Sequence, residues 1–118
     1  MGPVWNDSVP IYRQLRDLIV AMILDGALKE GEAAPSVRQV AVDYQINPLT
    51  VSKAYQDLVD EDLLEKRRGL GLFVREGARA RLLGLERERF LREEWPQLRA
   101  RIARLELDMH ALLKTGAE

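Results

Sequence analysis

The stretch "INPLTVSKAY", Ile46 to Tyr55, decides the fold. Asn47 can cap a helix and Pro48 suits a first helical turn, so a helix starts here. Val51, Ala54, Tyr55, Leu58 and Val59 share one face of it, which predicts the side that packs. The opposite face carries Thr50, Ser52, Lys53 and Gln56. Small hydroxyls and one cation stand where a merely solvated helix carries a mixture of Glu and Lys.

Working outward, Ser36 with Gln39 three residues later forms a capping-box pattern, and Val37, Val40, Ala41 and Tyr44 make the stripe of a short helix. Gln45 and Ile46 turn the chain into the helix that Asn47 caps. Before these lies a longer helix, opened by Pro10, striped by Ile11, Tyr12, Leu15, Leu18, Ile19, Met22 and Ile23, and stopped by Asp25-Gly26. Downstream, "LLEKRRGLGLFVREG" places β-prone runs on either side of a glycine turn, the pattern of a hairpin. The expected fold is mostly α with a small β-hairpin: a winged helix-turn-helix over residues 1–76, then a short two-helix element over 77–118.

In a helix-turn-helix the second helix can enter the major groove with its N-terminal residues against base edges. Thr50, Ser52 and Lys53 can donate to bases or phosphates without blocking close approach, and Leu49 can meet a thymine methyl. Arg38, one turn into the preceding helix, would reach a phosphate or a guanine. Arg67, Arg68 and Gly69 form the tip of the wing, where cations are drawn to a narrow minor groove and glycine lets backbone approach. Each feature has a plainer alternative, a solvated helix face, a surface arginine and a solvated turn. The capped helix before and the basic hairpin after favour double-stranded DNA.

Composition limits the other functions. Nearly half of the 118 residues are apolar, enough for a core, and there is no cysteine to supply disulfides, thiolate metal sites or a Cys nucleophile. Net charge is −1, but residues 1–65 carry −6 and residues 66–118 carry +5, with the densest cluster at Lys66, Arg67 and Arg68. That argues against a general polyanion binder and leaves room for a focused contact. No apolar run reaches the ~20 residues of a membrane span, and the first residues lack a secretion pattern, so a cytoplasmic protein is expected. His110 stands alone, and Asp60-Glu61-Asp62 reads as a helix stop. No metal, cofactor or catalytic pair is predicted, and the chain does not read as an enzyme.

Leu91, Trp95, Leu98, Ile102, Leu105, Met109 and Leu112 are spaced as an unbroken heptad seam, with a kink expected at Pro96. The seam can pack on its own chain or on a second copy. Since residues 1–75 already close a small core, homodimerisation is the preferred reading. A parallel pair would bring Glu94 near Arg99 and Arg101 near Glu106. Forty residues are few for a ligand pocket of the usual ~300–1,000 Å³, so a small-molecule effector, if one exists, is expected between subunits or between tail and wing.

"PIYRQL", "EGEAAPSVRQVA", "INPLTVSKAYQDL" and "LLEKRRGLGLFV" together resemble the GntR family of bacterial transcription regulators, over roughly residues 10–75. The short helical tail resembles the YtrA subfamily. The resemblance implies a homodimeric, operator-binding regulator, usually a repressor. It places DNA contacts at Arg38, at Asn47, Pro48, Leu49, Thr50 and Ser52, and at the wing-tip Gly69. Many relatives carry arginine where Pro48 stands, a longer basic residue at Ser52, and Arg-Leu at Ala33-Ala34, which shifts readout toward Lys53 and the wing. The runner-up is a winged-helix protein-interaction module that does not touch DNA.

Overall fold

A computed structural model describes residues 5–115. Helix α1, Ile11–Asp25, ends at Gly26 and buries Leu15, Ile19, Val20 and Ile23. Helix α2, Val37–Tyr44, is capped by Ser36, whose hydroxyl accepts from Gln39 N–H at 3.0 Å. The reciprocal half of the capping box is missing, because the Gln39 amide donates to Asp43 at 2.9 Å instead. Helix α3, Pro48–Asp60, starts where Asn47 accepts from Leu49 N–H at 2.8 Å.

The turn between α2 and α3 is made by a non-glycine residue. Gln45 sits in the left-handed region at φ 54°, and Ile46 N–H then bonds back to the Ala41 carbonyl at 3.0 Å. This closes the C-terminus of α2 in a Schellman-type motif and drives Ile46 into the core.

Strands β1, Leu64–Arg67, and β2, Gly71–Val74, pair antiparallel from Leu64 opposite Val74 to Arg67 opposite Gly71. Gly69 and Gly71 take φ of 76° and 107°, so the turn demands residues without a Cβ. The segment 31–34 adds to the free side of β2: Gly31 N–H meets the Val74 carbonyl, Val74 N–H that of Glu32, and Ala34 N–H that of Leu72, at 2.8–2.9 Å. An exposed sheet edge is thereby covered.

Leu15, Val51, Ala54, Leu58, Leu63 and Val74 have no exposed surface, and Tyr55 is nearly as buried. Truncating one such leucine to alanine costs about 2–5 kcal/mol, so α1, α3 and the hairpin stand or fall together.

The chain divides into two compact units between Leu83 and Gly84. Helix α4, Ala78–Arg89, begins in the first unit, where Ala78 and Leu82 join the core. Its N-terminus is held by Glu30, whose carboxylate accepts from Arg79 N–H at 3.1 Å. The backbone N–H groups of Gly77 and, next, Arg79 hold the Glu30 carboxyl below the usual carboxylate range. The Arg79 guanidinium also donates to the Leu24 carbonyl at 3.0 Å.

Within the second unit, Phe90–Glu94 form a π-helical turn, followed by α5, Trp95–Arg104, and α6, Met109–Lys114. Pro96 explains the π turn. It has no N–H for the carbonyl four residues back and its ring crowds that carbonyl, so the helix widens just before it. The kink expected there takes this form.

The unbroken heptad seam is corrected. Glu106 adopts φ 55°, Leu107 N–H returns to the Ile102 carbonyl at 3.1 Å, and Asp108 starts α6 by accepting from His110 N–H at 3.0 Å. Leu91 to Leu105 therefore precede a turn, while Met109 and Leu112 belong to another helix. The two faces enclose a cleft of about 410 Å³, lined by Trp95, Leu98, Ile102, Leu105, Leu107, Met109, Leu112 and Leu113, with Arg101 at its edge. The tail, short as it is for a ligand pocket, thus folds around a cleft within the usual size range.

Candidate nucleic-acid interface

Two long-range contacts fix α3 from behind and at its end, and a third lies on its outer side. The Tyr55 hydroxyl donates to the Pro35 carbonyl at 2.6 Å, tying the middle of α3 to the entry of α2. Burial, with a smaller contribution from Tyr44, pushes the Tyr55 phenol well above its ordinary range, so it stays a donor. At the C-terminal end, Arg16 of α1 grips the Glu61 carboxylate with both Nε, at 2.8 Å, and Nη2. On the outer side, the Lys53 ammonium lies 4.1 Å from the centre of the Tyr12 ring.

With α3 held this way, its first turn is left bare. Pro48 and Ser52 are exposed, Leu49 is 78% exposed, and Thr50 is half-buried. Asn47 spends its side-chain oxygen on the cap and keeps its amide nitrogen outward-capable. Gln56 is engaged with Asp60 at 2.8 Å, which removes it from the polar face. Arg38 is exposed on α2 and makes no ion pair among the described residues. The residue set on offer is therefore hydroxyls, one leucine and cations, suited to base edges and phosphates together.

The wing tip divides its two arginines. The Arg67 guanidinium stacks 4.2 Å from the centre of the Phe73 ring and lies 3.7 Å from Glu65. Arg68 is exposed and unpaired among the described residues. Gly69 follows at the apex, and Leu70 N–H closes the turn on the Arg67 carbonyl at 2.9 Å. Leu70 itself is 71% exposed. Sequence reasoning passed over Leu70, although its place between two glycines after a basic run was a usable signal. The clamp of Tyr12 on Lys53 had no such signal, since the two residues are far apart in the chain.

The predicted dimerisation residues lie in the second unit. Leu91, Leu98, Leu105, Met109 and Leu112 are exposed, and Trp95 and Ile102 are half-buried. Among the described residues of 84–115 none is buried. Glu94, which a parallel pair would place near Arg99, reaches Arg89 of its own chain at 4.0 Å. Among the described residues there is no cluster of three metal-ligating side chains, and no helix is long and apolar enough to cross a membrane.

Three helices closed by a hairpin, with the last helix bare at its N-terminal turn, define a winged helix-turn-helix protein. The family of bacterial regulatory proteins known as gntR matches residues 11–74, and the chain belongs to that family. It is 40% identical over 78 residues to the HTH-type transcriptional repressor YtrA of Bacillus subtilis (strain 168), a match spanning 66% of this chain and 60% of that repressor. Its fold is similar to that of a transcriptional regulator from Oenococcus oeni, with a TM-score of 0.73, 28% identity, and coverage of 97% of this chain and 92% of the other. It is also similar to AraR(DBD) in complex with operator ORR3, with a TM-score of 0.54, 28% identity, and coverage of 63% and 90%.

Proposed function

We propose that the protein is a sequence-specific, DNA-binding transcription regulator of the YtrA type, a repressor that occupies a palindromic operator as a homodimer. The observation that carries the reading is the rigid presentation of the first turn of α3: Tyr55, Glu61 and Lys53 are all held, while Pro48, Leu49 and Ser52 face outward. A helix fixed before contact loses little freedom on binding.

In this reading Arg38, Asn47, Pro48, Leu49, Thr50, Ser52 and Lys53 meet the major groove. Arg67, Arg68 and Gly69 meet the backbone and minor groove. The likeness to a repressor and to an operator-bound domain supports it. Dimerisation through the tail is supported by the exposed apolar side chains that gather around the α5–α6 cleft, Leu98, Leu105, Leu107, Met109, Leu112 and Leu113. One winged helix buries only about 600–1,000 Å² of its own surface on DNA, so two copies would read twice the sequence. Its place of action would be the bacterial cytoplasm, on the nucleoid.

A mobility-shift titration tests the reading, using a duplex selected by the full chain from a randomised library and a scrambled duplex of the same composition. The selected duplex should bind at least ~10³-fold more tightly. Equal affinity for the two would contradict sequence-specific regulation.

A further inference from the structure

We infer that Leu70 is an intercalating wedge, inserted by the wing between two base steps in the minor groove of the operator. The inference rests on the DNA-binding reading above and goes beyond it, since that reading uses only the charge and backbone of the wing.

The hairpin treats its apolar residues unequally. Leu72 and Phe73 are half-buried, Phe73 beneath the Arg67 guanidinium, and Val74 is fully buried. Leu70 alone among them is exposed, at 71%, directly after the Gly69 apex. It is held there: its N–H closes the turn on Arg67, and Gly71 resumes the ladder opposite Arg67. A Cβ added at Gly69 or Gly71 would meet nothing within 4 Å, so both glycines answer to backbone conformation and not to packing. They also leave the tip thin, with no side chain on either side of the leucine.

A single exposed leucine is ordinary on a protein surface. This one sits in the loop of the hairpin between two glycines, and Arg68, unpaired among the described residues, stands two residues before it. Cations are drawn into a narrow minor groove by its potential. Apolar side chains carried in with them can part a base step and kink the duplex by about 20–90°. Burial of the leucine offsets the cost of unstacking, so the signature is deformation of the DNA more than affinity. Pyrimidine–purine steps under the wing, the easiest to part, would be preferred at positions no side chain reads.

The test uses the full chain and the duplex it selects from a randomised library. End-labelled duplex reports bending by energy transfer, and 2-aminopurine placed at each adenine in turn reports unstacking by its fluorescence rise. The wild type should bend the duplex and light one step beneath each wing. Leu70→Ala should bind within about tenfold of the wild type while losing both signals. Leu70→Met, which keeps an apolar reach, should restore them. Circular dichroism melts of the variants should match the wild type, because the side chain is exposed. A straight, fully stacked wild-type complex would overturn the inference, and so would unchanged bending and fluorescence in Leu70→Ala. Failure of the wild type to select any duplex would instead overturn the DNA-binding reading on which it rests.

Discussion

The two wing arginines should behave differently when each is removed. Arg68 is exposed and unpaired among the described residues, while Arg67 is stacked on Phe73 and sits 3.7 Å from Glu65. A lysine or arginine that neutralises one phosphate contributes about 0.9 to the slope of log affinity against log salt. Arg68→Ala should therefore flatten that slope by about 0.9, so that a fourfold rise in salt costs the wild type roughly 3.5-fold more affinity than the variant. Arg67→Ala should flatten it by less than half as much, because Glu65 already shares the charge. It should instead loosen the hairpin, since a cation–π contact at an exposed site contributes about 0.5–1 kcal/mol. Fluorescence anisotropy at several salt concentrations measures the slopes, and thermal melts measure the stabilities. If Arg67→Ala flattens the slope as much as Arg68→Ala with no change in melting, the stacked position of Arg67 has no bearing on its role.

Three further outcomes are expected. Tyr55→Phe leaves the Pro35 carbonyl without its donor and should cost about 1–3 kcal/mol in urea denaturation. Because burial raises the folded phenol's pKa, wild-type stability is fully present below the unfolded value of about 10 and falls as pH rises above it; melts of Tyr55→Phe should lack that part of the alkaline fall. Thr50→Ala or Ser52→Ala should cost about 1–3 kcal/mol on the selected duplex and much less on scrambled DNA, measured by anisotropy, with the smaller loss at the half-buried Thr50. Ile102→Asp with Leu105→Asp should sediment as a folded monomer and bind the full site at least ~10-fold more weakly while binding a half-site much as before. A truncation aimed at the same question should end after Leu83, since ending after Glu76 would strip Ala78 and Leu82 from the core.

The head of the molecule was legible because its signals are local. Asn47-Pro48, Ser36 with Gln39, and the glycines about Leu70 each act within a turn or two of the chain, and each appears where its chemistry places it. Contacts between distant residues left no trace in the sequence. Nothing about Tyr12 announces Lys53, nothing about Pro35 announces Tyr55, and the pairing of 31–34 with β2 depends on a loop whose composition is not strand-like. The tail misled for a different reason. Its apolar spacing of threes and fours continues across the bend at Glu106, and spacing alone does not report a change of helix. Asp108, a good cap ahead of Met109, was the local signal that could have revealed the turn. Residue type alone made the first turn of α3 and the wing tip candidates, whereas the pairing of Arg67 with Phe73 and the exposure of Leu70 needed three dimensions.

The central claim is that two copies of α3 and its wing read two half-sites of one duplex. A hydroxyl-radical footprint of the full chain on the duplex it selects tests this most directly. The account predicts two protected windows whose centres lie about one helical turn, ~34 Å, or a multiple of it apart, both weakened by Ser52→Ala and by Arg68→Ala. Cleavage that stays uniform along the duplex at saturating protein, or a single window that neither substitution alters, would contradict it.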